Sequence, residues 1–567
     1  MGIERGPFYP RLSIVATIFV TTMAVLALRL GYLASAAAED TASIETRELP
    51  APRGTIWDRN GALIATNEFA YDLGLDLAVA EQGDPAELAR MIAPWIGREA
   101  PAVEAEIREA IAGESLWLPL AWDLGRDASE ALGNQEGMGL HLAPQPRRVY
   151  PLGADTAHVT GFIFGDEQTE YGIEASQDAV LKGRPGQLVG YAGTRPRDFR
   201  PARAGTDLRL SIDRDLQAAA SRALARIIEE QDATGGTVIV LEVATGAILA
   251  STSLPSYDPN RFGDVPREDQ SVFVDPAVSA IYEPGSVLKA VTLAAALDAG
   301  SVTSDSHYQD EGSVEFAGLT INNWDHLAHG WASLQDMMTN SLNVGAVWTA
   351  AQLGQDGFYD GLRRFGFGAP IGVDLAGEVS GIVNWPDADP DWYPGNFATN
   401  SFGQGMSATP MQVAAAIAAI ANDGRYMLPQ IVAERLPSDG PSELVPPRLV
   451  RQVIRPETAR IVRRMMQAVV DDKTVQAAIP GYSVGGKTGT SQIPNAEGYE
   501  AHDTIASFCG FLPVEAPRIV IFAKVDRAEA ARGSDVAAPL FREVAEAAIA
   551  ALDIPPDRAV GMGGEVR

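Results

Sequence analysis

The chain has 567 residues, 46% hydrophobic and 21% charged, a globular composition in a length too great for one core that predicts two to four domains. A formal net charge of −30 argues against a nucleic-acid partner, which would call for a basic face, and the acidity reads as solubility and compositional bias. A single cysteine, Cys509, excludes an internal disulfide, and Phe508-Cys509-Gly510-Phe511 reads as a strand with a small buried thiol.

In chain order, the first element is the uncharged, mostly apolar run Leu12 to Leu28, with Arg5 and Arg11 before it and Glu39 and Asp40 after. It predicts a single-pass membrane anchor over 12–33, with residues 1–11 on the cytoplasmic side and the rest of the chain exported. Ala34-Ser35-Ala36 resembles a signal-peptidase site, but the run is long for a cleaved signal, which favours the anchor. Next, Asn60-Gly61 lies between alternating apolar stretches within Pro52 to Thr66 and predicts a hairpin. Residues 85–113 carry amphipathic helix patterns, and the Gly/Pro/Arg-rich text from Lys182 to Gly205 reads as loops and short strands. Nothing in 34–205 offers a nucleophile with a base, so this part reads as a supporting domain.

From Asp207 the pattern changes. Leu208 to Asp213 alternates as a strand, a helix follows from Asp215, and Gly236–Leu241 and Gly246–Ser251 read as two strands joined by a short turn. Helical patterns dominate 286–366, 410–424 and 456–472; strands fit Tyr482–Gly486 and Arg518–Asp526, and a last helix fits 537–551. Strands at both ends with helices between them predict an α+β domain over 206–552, its sheet closed by the C-terminal part. Residues 553–567 read as a frayed, flexible tail.

The chemistry begins at Tyr282-Glu283-Pro284-Gly285-Ser286-Val287-Leu288-Lys289, which opens a helix that is apolar on every face. Only five of the 44 basic residues are lysines: Lys182, Lys289, Lys473, Lys487 and Lys524. Arginine cannot lose its proton in a protein and lysine can, so a lysine in a core helix points to a group that must be neutral at some step. Ser286 and Lys289 stand three apart on one helix face, and a serine hydroxyl needs such an adjacent base to act as a nucleophile. Two further pieces follow, Ser341-Leu342-Asn343 and Lys487-Thr488-Gly489-Thr490. Singly, each has a bland reading: an N-cap for Ser286 or Ser341, a solvated edge charge for Lys487. Asp325-His326-x-x-His329 lacks a third clear ligand and no glycine-rich phosphate loop is present, so neither metal nor cofactor is expected.

The trio Ser-x-x-Lys, Ser-x-Asn and Lys-Thr-Gly resembles the signature of serine β-lactamases and penicillin-binding proteins. With Arg53 to Gly61, Arg148-Val149-Tyr150-Pro151, Tyr171-Gly172-Ile173-Glu174, Ser253 to Asn260, Ser401-Phe402-Gly403-Gln404-Gly405, Ala408 to Gln412 and Ser507 to Phe511, the chain resembles a class B penicillin-binding protein over roughly residues 12–552. The family often has a second Ser or an Asp before the Asn; here the element reads Ser341-Leu342-Asn343. No glycosyltransferase-like segment precedes the pedestal, which fits class B.

The resemblance implies a transmembrane helix, an elongated pedestal domain over 34–205 and a transpeptidase domain that cross-links peptidoglycan stem peptides on the periplasmic face of the bacterial inner membrane. It implies Ser286 as the nucleophile, Lys289 as its base, Ser341 as a proton relay and Asn343 as a holder of the substrate backbone. It further implies a charged Lys487 binding a carboxylate with Thr488 and Thr490 beside Gly489, and an oxyanion hole from the N–H groups of Ser286 and Thr490. β-Lactams would trap Ser286. The length and pedestal look more like the FtsI-type division branch than the elongation branch, with a SEDS-type (FtsW-like) polymerase and division proteins as implied partners. A D,D-carboxypeptidase, a β-lactamase-like hydrolase and an inactive membrane scaffold or sensor remain as alternatives.

Overall fold

The computed structural model describes residues 8–39, 44–113, 115–133, 138–165, 168–191, 198–472, 475–495, 498–528 and 532–559. The chain divides into two units, Met1–Ala51 with Arg184–Arg203, and Pro52–Gly183 with Ala204–Arg567. In the first, Phe8–Glu39 is a helix, and Ile44–Leu49, Gly186–Tyr191 and Asp198–Arg200 form a three-stranded antiparallel sheet. Ile14, Phe19 and Leu28 on that helix are exposed. The sequence predicts a membrane span at 12–33; among the described residues, no helix is long and apolar enough to cross a membrane.

The second unit opens with the hairpin expected at Asn60-Gly61, in which Ile56–Trp57 pairs with Leu63–Asp76. Gly61 stands at φ +87°, a conformation L side chains rarely adopt. The helical text of 85–113 becomes Pro85–Ile96 and Ala100–Ala112, each with proline in its first turn. With the strands Leu63–Asp76, Trp117–Leu124 and Leu140–Val149 they enclose a small core of their own around Leu73, Leu88, Ile92, Val103 and Ile107.

Three sequence stretches far apart in the chain meet in one buried ion network. Glu174 takes Arg53 on one carboxylate oxygen at 2.6 Å and Arg148 on the other at 2.7 Å, and Arg53 also reaches Asp178 at 2.6 Å. Both arginine side chains and Glu174 are almost fully excluded from solvent, so Glu174 is the buried counter-charge of two arginines, and Asp178 balances Arg53 from a partly exposed position.

The central sheet is antiparallel, with strands β1 (Gly235–Glu242), β2 (Ile248–Leu254), β3 (Gly485–Asn495), β4 (Gly498–Leu512) and β5 (Ile519–Asp526) in the order β2-β1-β5-β4-β3. Strands from the two ends of the segment thus form one sheet, the expected α+β arrangement. Every residue of β1 from Gly235 to Leu241 is buried, because helices cover both faces. The helices that build the site are α1 (Lys289–Ala299) and α2 (Asn343–Leu353); α3 (Ala537–Ala551) packs against β4 and β5.

The structure departs from the sequence reading in three places. The strand expected at Tyr482–Gly486 begins at Gly485. The helical text of 286–366 is interrupted by four four-residue strands between His307 and Ser333, paired as two ribbons. Strands that short give too few alternations to stand out from their helical flanks. The tail expected to fray from 553 is tied down over its described part: Tyr482 donates to Ile554 O at 2.8 Å, Ser483 N donates to the Asp557 carboxylate at 2.8 Å, and Arg558 pairs with Asp471 at 3.0 Å. Residues 560–567 lie outside the described residues.

Glu174→Ala leaves two buried guanidinium groups facing each other without their shared carboxylate. Equilibrium urea unfolding is expected to show a loss of about 3–5 kcal/mol. A loss under ~1 kcal/mol would mean that water reaches the network.

Candidate active site

Ser286 lies on the turn Gly285–Leu288 that leads directly into α1, and Lys289 is the first residue of α1, fully buried. The turn is clamped from two sides. Tyr282 and Ala408 exchange two backbone hydrogen bonds at 3.1 and 2.9 Å, and Gly285 N donates to Gly403 O at 3.0 Å. On the other side, Ser491 Oγ of β3 donates to Glu283 O at 2.6 Å. Gly285 adopts φ +55°, and a Cβ there would stand 2.7 Å from Ser491 Oγ. A Cβ on Gly489 would stand 2.4 Å from Ser507 Oγ and 3.0 Å from Pro284 O, so the glycine of Lys-Thr-Gly lets the strand approach the serine turn.

Ser341 is in the left-handed region at φ +56°, which costs a residue with a side chain about 1–3 kcal/mol. It does not cap α2, whose N-cap is Leu342. Instead this backbone twist brings both its oxygens to Lys289, whose Nζ donates to Ser341 O at 2.5 Å and lies 3.3 Å from Ser341 Oγ. The same Oγ accepts from Lys487 Nζ at 3.0 Å. Asn343 turns its amide oxygen to Lys289 Nζ at 2.8 Å and donates one N–H to Asn322 O at 2.9 Å, which leaves one N–H for a ligand. Thr488 and the exposed Thr490 follow on β3, where Thr490 Oγ1 accepts from Gly533 N at 3.3 Å.

The fold therefore gathers Ser286, Lys289, Ser341, Asn343 and Lys487 to Thr490 from three separate segments. The contact that the sequence reading needs most, Ser286 Oγ to Lys289, is not among the hydrogen bonds formed. Lys289 is engaged by Ser341 and Asn343, and Ser286 Oγ has no hydrogen-bond partner among the described residues. Such bonds are often long in a site without substrate.

The two site lysines are 0% and 1% exposed, and neither meets a carboxylate among the described residues. Lys524 is also buried but holds Asp526 at 2.5 Å, the ordinary structural arrangement. Burial, and then the charge of Lys487, hold Lys289 well below the usual lysine range. Burial alone lowers Lys487 to about 7. The sequence reading keeps Lys487 charged; in the free site it stands at its titration midpoint near neutral pH, because nothing anionic faces it.

Sequence reasoning missed Glu283. Its carboxylate is buried beside the serine turn and accepts from Gly405 N at 2.8 Å and from Tyr499 OH at 3.1 Å. Desolvation raises its pKa and pushes the Tyr499 phenol up to about 12. An acid inside an otherwise apolar turn was the available signal; nothing in the text marks Tyr499 as its partner.

The family profile described as "Penicillin binding protein transpeptidase domain" matches residues 236–546, and "Penicillin-binding Protein dimerisation domain" matches 48–194. The chain belongs to the penicillin-binding proteins, in their class B arrangement. It is 30% identical to stage V sporulation protein D of Bacillus subtilis over 98% of this chain and 88% of that protein. It is also 30% identical to a protein named probable peptidoglycan D,D-transpeptidase PenA of Neisseria meningitidis, over 92% and 88%. Among solved structures, penicillin-binding protein 3 of Mycobacterium tuberculosis complexed with aztreonam aligns with a TM-score of 0.69 at 28% identity, over 91% of this chain and 99% of that one.

The folded pKa of Lys487, about 7, lies below its ordinary 10.5, so the unfolded chain binds more protons between these values. The buried ammonium therefore opposes folding fully below about pH 7, and the penalty fades as pH rises toward 10.5. Lys487→Met is expected to raise the unfolding midpoint by the equivalent of a few kcal/mol, on the order of the shift. The gain should be larger at pH 6 than at pH 10; thermal scans with a gain independent of pH would contradict the assignment.

Proposed function

We propose that Ser286 is the acylated nucleophile of this transpeptidase and that Lys289 is its base. The observation carrying this reading is a pair of buried lysines without counter-ion that share one hydroxyl, Ser341 Oγ, beside a serine turn. A neutral Lys289 has two N–H groups and one lone pair. Its two short contacts, Ser341 O and Asn343 Oδ1, take both N–H groups, so the lone pair is left to receive the Ser286 proton. In that state Ser341 Oγ accepts from Lys487 and keeps its own proton free to pass to the departing amine.

The enzyme is a peptidoglycan D,D-transpeptidase. The Ser286 oxygen attacks the carbonyl of the penultimate D-Ala, the terminal D-Ala leaves as the amine, and a neighbouring stem's amine then takes the acyl group from the ester. Lys487, Thr488 and Thr490 receive the terminal carboxylate, which on arrival raises the pKa of Lys487 and so draws a proton onto it. Asn343 offers its remaining N–H to the substrate backbone. The N–H groups of Ser286 and Thr490 hold the developing oxyanion, worth about 10²–10³ in rate per donor. Binding of aztreonam by the mycobacterial neighbour supports β-lactams as trapping ligands here.

The finer organisation belongs to the same reading. The helix over 12–33 is a membrane anchor, supported by its charge-free run and by apolar side chains that stay exposed. Residues 34–205 act as pedestal and 206–552 as catalytic domain on the periplasmic side of the inner membrane. The role is septal, with a SEDS-type (FtsW-like) polymerase and division proteins as partners, supported by the likeness to the FtsI-type branch.

Fluorescent penicillin labelling of the chain is expected to give an adduct that persists for hours and is absent in Ser286→Ala. Lys289→Met should slow acylation by about 10²–10⁴. The acylation rate should fall toward acid pH as Lys289 gains its proton and fall above about pH 7 as Lys487 loses one. An adduct shed within seconds would favour a hydrolase, and a folded wild type without adduct would favour a scaffold.

A further inference from the structure

The mouth of the site holds a pair that the steps above leave unused. Trp324 is 57% exposed and lies in the loop after the ribbon strand Leu319–Asn322. Its indole N–H donates to Asn340 O at 2.9 Å, which fixes it beside Ser341. The two residues before it are fixed to the same wall: Asn322 O accepts from Asn343 Nδ2, and Asn323 Oδ1 accepts from Val344 N at 3.2 Å.

Opposite stands Arg532, in the connection between β5 and α3. Its neighbour Gly533 is pressed against β3, where a Cβ would lie 2.5 Å from Gly489 O and 2.6 Å from Ser507 O, and Gly533 N donates to Thr490 Oγ1. The Arg532 guanidinium lies over the Trp324 ring at 5.3 Å from its centroid. The pair thus joins the wall of Ser341 and Asn343 to the wall of Lys487 and Thr490 across the cleft.

Arg532 is exposed and meets no carboxylate among the described residues, although the chain has 74 acidic residues against 44 basic ones. An indole face orients a guanidinium while leaving its N–H edge free for a planar anion. The terminal carboxylate of the donor already has Lys487, Thr488 and Thr490 on the strand within.

We propose that Arg532, held by Trp324, is a specificity-determining residue that receives a carboxylate carried next to the acceptor amine. This rests on the Ser286 reading. The acceptor enters as a neutral amine, its nitrogen attacks the Ser286 ester, the C–N bond forms as the C–Oγ bond breaks, and one amine proton returns to Ser286 Oγ. Arg532 takes no part in that exchange; it places the acceptor so that the amine points at the ester.

The test uses the full chain, a thioester acyl donor and two acceptors that differ only in charge, D-alanine and D-alaninamide. In Arg532→Gln, transfer to D-alanine should fall about five- to tenfold, the loss of one charge-assisted contact. Transfer to D-alaninamide and the rate of penicillin acylation should stay as in the parent, and Arg532→Lys should restore part of the preference. Equal losses with both acceptors would overturn the proposal by making Arg532 a prop for the loop. A fall in acylation by a carboxylate-bearing donor, with unchanged acceptor preference, would overturn it by assigning the cation to the donor stem. Failure of the Ser286 reading is distinguishable, since it removes penicillin labelling from the parent chain itself.

Discussion

Two lysines buried without a counter-ion are the constraint around which this fold is arranged. Each ammonium in such a place costs several kcal/mol, and well-packed apolar residues would serve folding better. The fold compensates with oxygen dipoles in place of charges: Ser341 O, Asn343 Oδ1 and the shared Ser341 Oγ. Dipoles satisfy N–H groups but do little to hold a proton on nitrogen, so both lysines are pushed toward neutrality. A carboxylate at the position of Ser341 would stabilise the protein and hold the proton on Lys289. Lys524, paired with Asp526, shows the arrangement this chain uses where a buried lysine has only to be stable.

Holding that arrangement requires close approaches of backbone to backbone. The serine turn lies between the 403–408 segment and β3, and the contacts are short enough that Gly285, Gly403 and Gly489 each leave no room for a Cβ. For Gly403 the would-be atom falls 2.3 Å from Gly285 O. Ser341 has a side chain in a backbone conformation that favours glycine, and this is strain that the surrounding contacts must sustain. At Ser341 and Lys289 strain and exclusion of solvent meet within one set of contacts.

A second constraint lies away from the site. Arg53, Arg148, Glu174 and the partly exposed Asp178 come from three segments of one unit and neutralise one another, the first three where water is almost excluded. Buried ion pairs add little net stability over apolar packing but are costly to half-dismantle, so such a network makes alternative packings of these segments unfavourable. The same logic separates it from the site lysines, which meet no carboxylate among the described residues.

Much was legible in the sequence alone. Scarcity of lysine against abundant arginine, together with the spacing of Ser286 and Lys289 and the two later motifs, was enough to single out candidate residues that the fold brings together, because the chemistry limits which side chains can do it. The hairpin at Asn60-Gly61, α2 and α3 were readable because glycine turns and helix periods are local properties. The tertiary structure decided what depends on distant partners. The left-handed twist of Ser341, the proton balance of Lys487, the hold of Tyr499 on Glu283 and the anchoring of residues 553–558 all follow from groups dozens or hundreds of positions apart. Desolvation is set by what packs around an atom, and a one-dimensional pattern fixes which residues are present but not which of them exclude water from one another.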